Sequence, residues 1–448
     1  MHPETRPDPE ETLGAAAPGP AGLNREETLD PDALHRHQLR RLRAMLKPVL
    51  QRNAFYRAKL ARAGLSVADD VTTTDAYRQL PFTTKRELTE DQEATPPYGT
   101  LATWPADRYV REHHTSGTTG RTLRWLDTAE SWDWLAVCWA RVFRAAGVTA
   151  SDRVFFPFSF GPYLGTWSGV EGVRRMGCLF LAGGGMSSRE RVERIIADRP
   201  TVLVCTPTYA FRLAEVAADA GIDLAASALR VNIHPGEPGA SLPSTRARLQ
   251  EAFGARVYDH AGSTEVGAWG FECHARDGLH INEAEFIFEV VDPATGAPAR
   301  EGELVATNLG RAGMPLIRYR TGDWGRLQDG PCACGSGYRR LQGGVTGRLD
   351  QMVTVEGVTF FPSTVENVIR GFPEVGEFAV DVRRGGGRDD IEARVELSGD
   401  DAGAVAARVA RALGDALGLH VEVSAVGRGT LPRFPVKAAR VTDHRAEG

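Results

Sequence analysis

Between about residues 108 and 287, short apolar runs alternate with amphipathic ones, and this alternation restricts the possible folds more than any other feature of the chain. Residues 153–158, 179–181, 202–206 and 231–234 read as strands, while 188–198 and 210–220 carry apolar side chains at helical spacing. The expected fold class is therefore α/β, a large multi-layer N-terminal domain. A more β-rich part follows, in which 284–291 and 302–307 flank the turn-forming run 292–301.

Past Gly347 the pattern resets to a compact α+β unit. Its strands are expected near 352–355, 377–382 and 391–397, and its helix near 402–417, with Val405, Val409, Leu413 and Leu417 on one face. Upstream, residues 32–63 place Leu39, Leu42, Leu46, Val49 and Leu50 at helical spacing with basic residues on much of the opposite face. Residues 1–30 are rich in Pro, Ala, Gly and Glu without periodicity and read as a disordered, mobile tail. The expected organisation is thus a tail over 1–30, a main domain over 31–347 and a small domain over 348–448, two or three units being what 448 residues allow.

Composition removes several classes of function. Lys and Arg number 53 against 58 Asp and Glu, a net charge of −5, which gives no electrostatic reason to expect nucleic acid or an anionic membrane as partner. No run approaches the roughly 18–20 apolar residues that cross a bilayer, and the polar start has no apolar signal core, so a cytoplasmic enzyme is expected. Of six cysteines, Cys138, Cys178 and Cys205 stand singly in apolar surroundings and read as buried free thiols.

The most informative string is Thr115-Ser-Gly-Thr-Thr-Gly-Arg121. Two glycines admit backbone N–H groups to an anion, four hydroxyls surround them and Arg121 adds charge, which together suit a polyphosphate. The spacing is not that of a Walker loop, because the second glycine comes too early and no Gly-Lys-Ser/Thr follows. Four further strings follow in order: Gly236-Glu-Pro238, Tyr258-Asp-His-Ala-Gly-Ser-Thr-Glu265, Tyr319-Arg-Thr-Gly-Asp323 and Gly347-Arg-Leu-Asp350. Lys437 lies near the end, between prolines and the C-terminus.

This ordered set resembles the adenylate-forming superfamily of acyl-CoA synthetases, peptide-synthetase adenylation domains and luciferases, and most closely its phenylacetate–coenzyme A ligase branch. Leu80-Pro-Phe-Thr-Thr-Lys-Arg-Glu-Leu88, Asp277-Gly-Leu-His-Ile-Asn-Glu283, Pro315-Leu-Ile-Arg-Tyr-Arg320 and Phe360-Phe-Pro362 carry the likeness to that branch, which spans about residues 35–445. The resemblance implies an acid–thiol ligase of the AMP-forming kind. A carboxylate attacks the α-phosphorus of ATP to give an acyl-adenylate and pyrophosphate, and coenzyme A then displaces AMP.

By the same resemblance Thr115, Ser116, Gly117, Thr118, Thr119 and Gly120 hold the β- and γ-phosphates and Glu265 binds Mg²⁺. Gly236, Glu237 and Pro238 line the adenine with Tyr258 and Asp259 nearby, Asp323 accepts from the ribose hydroxyls, and Arg348 reaches ribose or phosphate. Lys437 bridges the attacking carboxylate and the α-phosphate, so the small domain must close for the first step and reorganise for the second about a hinge at Asp350. Phe160, Tyr163, His234, His260, Ala261 and Gly262 are the expected acid-pocket residues, the aromatic ones suiting an aryl ring and the histidines a ring hydroxyl or amino group.

The chain departs from the branch at Arg121, where a lysine is usual, and at His260 and Ala261, where a hydrophobic and an aromatic residue are common. Those departures leave room for the same adenylation with delivery to a carrier protein, an amine or a hydroxyl. A non-catalytic nucleotide sensor on this fold is disfavoured by the joint presence of Glu265, Asp323 and Lys437. A homodimer is a family-level expectation only.

The remaining cysteines cluster. Cys332-Ala-Cys334 with Cys273 and either His274 or His280 offers three thiols and one imidazole, the donor set of a closed tetrahedral zinc site, and a reducing cytoplasm favours metal over disulfide. Some members of the branch carry such a cluster, and His280 is preferred to His274 because it falls in the branch motif that starts at Asp277.

Overall fold

The computed structural model describes residues 23–115, 122–385, 388–434 and 437–445. The chain begins with helices α1 (Pro31–Arg52), α2 (Ala54–Arg62), α3 (Thr74–Arg78) and α4 (Lys85–Ala94). The layered part follows as β1 (Tyr109–His114), β2 (Arg124–Thr128), α5 (Ala129–Ala145), β3 (Arg153–Phe156), α6 (Leu164–Met176), β4 (Leu179–Ala182), α7 (Ser188–Asp198), β5 (Val202–Val204), α8 (Pro207–Asp219), β6 (Val231–Pro235), α9 (Pro243–Phe253) and β7 (Arg256–Ser263). Next come β8 (Gly267–Phe271), β9 (Leu279–Ile281), β10 (Phe286–Val291), β11 (Glu301–Asn308), β12 (Tyr319–Gln328) and β13 (Arg340–Arg348). The last part holds β14 (Val353–Val355), β15 (Val358–Phe360), α10 (Pro362–Arg370), β16 (Phe378–Gly385), β17 (Arg388–Glu396), α11 (Ala402–Leu417), β18 (Glu422–Val426) and β19 (Val441–Asp443).

The helix ends follow local chemistry. Asp30 accepts from Ala33 N at 2.7 Å and Pro31 opens α1, while Ser187 and Glu190 form a reciprocal cap on α7. Gly418, at φ +67°, stops α11.

Among the described residues, eleven strands form one sheet in the order β10-β11-β12-β13-β9-β8-β7-β6-β5-β3-β4. The end from β7 to β4 is parallel and the rest antiparallel, so the alternating and the β-rich stretches of the sequence become two halves of one sheet. Strand alternation sends Val202, Val204, Ile233 and Tyr258 to a core shared with α5 and α6. Leu203, Cys205 and Val257 go to a second core under α7, α8 and α9.

The last part has its own core, built from Val380, Val382, Ile391, Ala393 and Val395 of the sheet β18-β17-β16-β19 against Val405, Val409 and Leu413 of α11. It rests on α9, where Ser244 N donates to Asn367 Oδ1 at 3.2 Å and Arg248 Nη2 to the Val375 carbonyl at 3.1 Å. Among the described residues no helix is long and apolar enough to cross a membrane.

Two expectations need correction. The expected mobile tail over 1–30 does not hold for residues 23–30: residues 1–22 lie outside the described residues, but from Leu23 the chain is packed, with a short 3₁₀ turn over Arg25–Thr28. Glu27, 1% exposed, forms an ion pair with buried Arg141 of α5, and its carbonyl accepts from Gly337 N at 2.7 Å. One buried pair and one backbone bond supply what composition alone did not reveal. Cys138 and Cys205 are buried as expected, but Cys178 is half-buried, its thiol 3.1 Å from the Thr149 carbonyl.

Candidate active site

The parallel strands β6 and β7 end side by side, and the chemistry-bearing residues gather beyond their carboxyl ends, where open α/β sheets bind ligands. After β6 the chain turns at Gly236, whose φ of +97° lies in the left-handed region that favours glycine. The next residue, Glu237, accepts from Thr208 N of α8 at 2.8 Å and from Ala438 N at 3.3 Å, joining the main part to the segment that carries Lys437. Burial raises its carboxyl above the usual range, and Glu366 adds to the shift.

Beyond β7 the turn carrying Glu265 is fixed from beneath. Arg311 donates to the Thr264 and Glu265 carbonyls at 2.6 and 3.0 Å and to both carboxylate oxygens of Asp127 at 2.7 and 2.6 Å. Both members of that ion pair are fully buried, so the turn sits on a rigid support. The Glu265 carboxylate lies 3.6 Å from Lys85 Nζ at the start of α4. That helix start is itself docked, since Thr83 N donates to the Arg318 carbonyl and Arg320 N to the Thr83 carbonyl, both at 2.9 Å. Lys85, Arg311 and Asp127 had no assigned role in the sequence; Lys85 lies inside a recognised branch motif, whereas the Arg311–Asp127 pair left no local signal.

Asp323 and Arg348 face each other across β12 and β13. Arg348 Nη1 stands 3.3 Å from Asp323 Oδ1, and its Nε and Nη2 hold the two oxygens of Asp350 at 2.9 and 3.0 Å. Burial pushes the Asp323 carboxyl up to about 6; Arg348 opposes the shift and Glu265 adds to it. The positive charge of Lys437, whose side chain is exposed, also opposes the upward shift of Asp323. Its Cε comes 3.5 Å from where a Cβ on Gly236 would stand. Residues from 236, 323, 348 and 437 thus converge.

Of the expected phosphate loop, Thr115 is buried; its N–H donates to the Leu123 carbonyl and its hydroxyl accepts from Leu123 N, both at 3.0 Å. Ser116, Gly117, Thr118, Thr119, Gly120 and Arg121 lie outside the described residues. Tyr258 and Asp259 are buried. Asp259 turns to the α9 side of the sheet, where burial and neighbouring Glu272 push its carboxyl up to about 7.

The two expected pocket histidines separate. His234 pairs with Asp259 in the ladder and therefore shares its face, while His260 lies on the other face with Trp139 of α5, ring centroids 4.4 Å apart. His234 thus lies on the face opposite His260 and Trp139. It is fully buried, its Nδ1 is 2.8 Å from the Cys205 carbonyl, and its Nε2 has no partner among the described residues.

His260 Nδ1 stands 2.6 Å from the Gly270 carbonyl. A carbonyl only accepts, so Nδ1 carries the proton and Nε2 presents a lone pair. Burial pushes this ring down to about 4, which keeps it neutral in ordinary buffers.

Phe160 joins an aromatic row with Phe158, Phe180 and Trp167, at centroid distances of 6.5, 6.0 and 4.8 Å. Trp139 and Phe156 meet over Gly169, where an added Cβ would fall 3.5 and 3.0 Å from their rings. Tyr163 is 49% exposed and stands at the rim rather than within the row. Half-buried Ala261 packs against the core, and a Cβ on Gly262 would meet the Gly267 carbonyl at 2.9 Å.

Apart from this site, Cys273, His280, Cys332 and Cys334 converge, with ligand atoms all within 4.8 Å of one another. Zn–S bonds of about 2.3 Å and Zn–N bonds of about 2.0 Å in a tetrahedron imply S···S and S···N edges of about 3.8 and 3.5 Å. The Cys273–Cys332 sulfurs are 3.6 Å apart and Cys334 Sγ is 3.5 Å from His280 Nε2, so the four fit a closed zinc site. His280 Nδ1, 3.2 Å from the Tyr338 carbonyl, has the outer partner that fixes a metal-binding imidazole.

The profile of the AMP-binding enzyme C-terminal domain matches residues 357–445. A phenylacetate–coenzyme A ligase of Pseudomonas putida is 32% identical over 437 residues, covering 94% of this chain and 97% of its own length. A crystal structure of 2-hydroxyisobutyryl-CoA ligase in the postadenylation state, in complex with R3-HIB-AMP, matches with a TM-score of 0.89 at 27% identity, covering 94% of this chain and 92% of its own. The same enzyme with 2-HIB-AMP and CoA in the thioesterification state covers equal shares at 28% identity, but with a TM-score of 0.71. The present arrangement of the two parts is thus nearer the postadenylation form.

Proposed function

The chain belongs to the phenylacetate–coenzyme A ligase family of adenylate-forming enzymes, and from that premise we propose that it activates an aromatic carboxylic acid with ATP and passes the acyl group to coenzyme A. The observation that carries this reading is the approach of Lys437 to Gly236 beside Asp323 and Arg348, in an arrangement nearer the postadenylation form.

In the first step two anions must meet, the acid's carboxylate and the α-phosphate of ATP. Lys437 lies between them and offsets their repulsion. Removing such a preorganised charge typically costs roughly 2.7–4 kcal/mol of transition-state stabilisation. Asp323 accepts from the ribose hydroxyls, Arg348 donates to ribose or phosphate, and Gly236, Glu237, Pro238 and Tyr258 line the adenine. Thr115 and residues 116–120 after it hold the outer phosphates. Glu265, on its Arg311 support, would hold Mg²⁺, which would supply charge neutralisation to the phosphates.

The acid's ring lies along the row that includes Phe160, with Ala261 and Gly262 at its floor, Tyr163 at its rim, and His260 Nε2 as an acceptor. That acceptor favours an acid bearing a hydroxyl or amino group over an unsubstituted one. For the second step the small domain turns about Asp350, withdrawing Lys437.

Cys273, His280, Cys332 and Cys334 hold a structural Zn²⁺ that ties two chain segments together outside the reaction.

The test is pyrophosphate release across phenylacetates, benzoates, hydroxybenzoates and aminobenzoates, with and without coenzyme A, followed by product mass. Release with an aryl acid and a thioester product supports the reading. No release with any acid, or transfer only to another acceptor, overturns it.

A further inference from the structure

Lys437 makes no hydrogen bond or ion pair of its own among the described residues, yet its segment is held at fixed points along one helix of the main part. Arg440 Nη1 is 3.3 Å from Thr208 Oγ1 in the first turn of α8. Arg433 donates to Glu215 through Nε at 3.1 Å and Nη2 at 2.7 Å, about two turns further on. Arg428 Nη2 is 2.7 Å from Asp219, the last residue of the same helix. As the arginine number falls from 440 to 433 to 428, the partner rises from 208 to 215 to 219, so the three arginines meet α8 in the opposite sense. Ala438 N, next to Lys437, reaches the Glu237 carboxylate at 3.3 Å.

The contacts differ in kind. Arg433 also binds Glu396 of β17 with Nη1 at 2.9 Å and Nη2 at 2.7 Å, and the Glu396 side chain is fully buried. Arg440 likewise binds Glu377 at 2.7 and 3.1 Å within the small part. Both guanidinium groups are therefore oriented by their own part, and a rotation of that part would carry them away from α8 unchanged. Glu215 belongs to the other side. Its side chain is 21% exposed, against 57% for Asp219, so its bond to Arg433 is the less screened of the two.

We propose that α8 is the rail that sets the adenylation position of Lys437, with Glu215 the positioning residue whose grip on Arg433 exists only while the small domain is closed. This rests on the adenylating role of Lys437 proposed above. A guanidinium fork engaged by a carboxylate fixes direction as well as distance, and misplacement of a catalytic group by about 1 Å can cost about a hundredfold in rate. Glu215 touches neither substrate nor Lys437; it acts through Arg433, which stands four residues before Lys437 in the sequence.

The experiment compares wild type, Glu215→Gln and Lys437→Ala with the acid giving the fastest pyrophosphate release, measuring that release and, separately, thioester formation from preformed acyl-adenylate and coenzyme A. Glu215→Gln is chosen because changing Arg433 would strand buried Glu396. A charged hydrogen bond of this kind corresponds to about a ten- to hundredfold loss. The expected result is that loss in kcat for pyrophosphate release, with thioester formation from the adenylate unchanged or faster and an unaltered melting temperature. Arg433→Lys, which keeps the charge without the fork, should slow the same half-reaction to a smaller extent. Equal slowing of both halves by Glu215→Gln, or no slowing of the first, overturns the rail while leaving the function intact if Lys437→Ala abolishes pyrophosphate release. Wild-type release by Lys437→Ala overturns the underlying reading and the rail with it.

Discussion

Lys437 Cε stands 3.5 Å from where a Cβ on Gly236 would lie, although Lys437 falls between β18 and β19 of the small domain and Gly236 follows β6 of the main one. Gly236 thus has two duties, a left-handed turn at φ +97° and an open path for the lysine.

Gly236→Ala tests the first duty. The added methyl would meet Thr206 Cγ2 at 3.4 Å and Lys437 at 3.5 Å, ordinary contacts, so the cost comes from the backbone, about 1–2 kcal/mol. Pyrophosphate release is expected to fall about tenfold or more as the strand end shifts, with a melting temperature lower by a few degrees. Unchanged release would show that the turn does not position the site.

Asp350 accepts from Nε and Nη2 of Arg348, whose Nη1 faces Asp323, so the proposed hinge and a nucleotide-side residue are coupled. Asp350→Pro is expected to spare pyrophosphate release more than thioester formation from preformed adenylate, since proline restricts the rotation needed for the second step. Rate assays of the two halves decide; a larger loss in the first removes the hinge from Asp350.

Asp323 gives a dependence on pH. Its folded-state carboxyl titrates near 6, above the ordinary value of about 3.9, so the folded chain binds its proton more tightly than the unfolded chain. That contribution to stability is full below about pH 4 and is lost as pH rises through about 6. Without nucleotide or Mg²⁺, Asp323→Asn should therefore raise stability at pH 7–8 relative to wild type, by on the order of 1 kcal/mol, and change it little below pH 4. The same variant should bind ATP more weakly at pH 7. Thermal melts across pH give the first answer and titration with ATP the second.

The cysteine cluster predicts one zinc per chain by elemental analysis. Cys334→Ser and His280→Ala should each lower zinc content and the melting temperature together, because the ligands join β9 to the 332–337 turn on which the Glu27 segment rests. Zinc-free protein of unchanged stability would remove the metal.

His260 offers its acceptor regardless of buffer, since burial keeps the ring neutral down to about pH 4. His260→Phe should reduce kcat/KM for hydroxy- or amino-substituted acids about ten- to a hundredfold and leave unsubstituted acids within a few-fold. Equal effects on both sets would remove His260 from substrate recognition.

What the chain states locally proved legible. The helix spacing over 402–417 became α11, the strands expected at 153–158, 179–181, 202–206 and 231–234 became four of the five parallel strands of the sheet, and the cysteine spacing became a four-residue cluster. Such features depend on neighbours a few residues apart, or on motifs whose order survives in the family. Even there the ends moved: the strand expected over 202–206 stops at Val204, because Thr206 caps α8 by accepting from Tyr209 N.

The tertiary structure decided what depends on faces and on distant pairing. His234 and His260 read alike in sequence, but strand register sends them to opposite sides of the sheet. Glu27 meets Arg141 across 114 residues, and Glu215 meets Arg433 across 218. No periodicity encodes such pairs, since each charge is an ordinary surface residue until sheet order and the docking of the small part withdraw it from water and give it a partner.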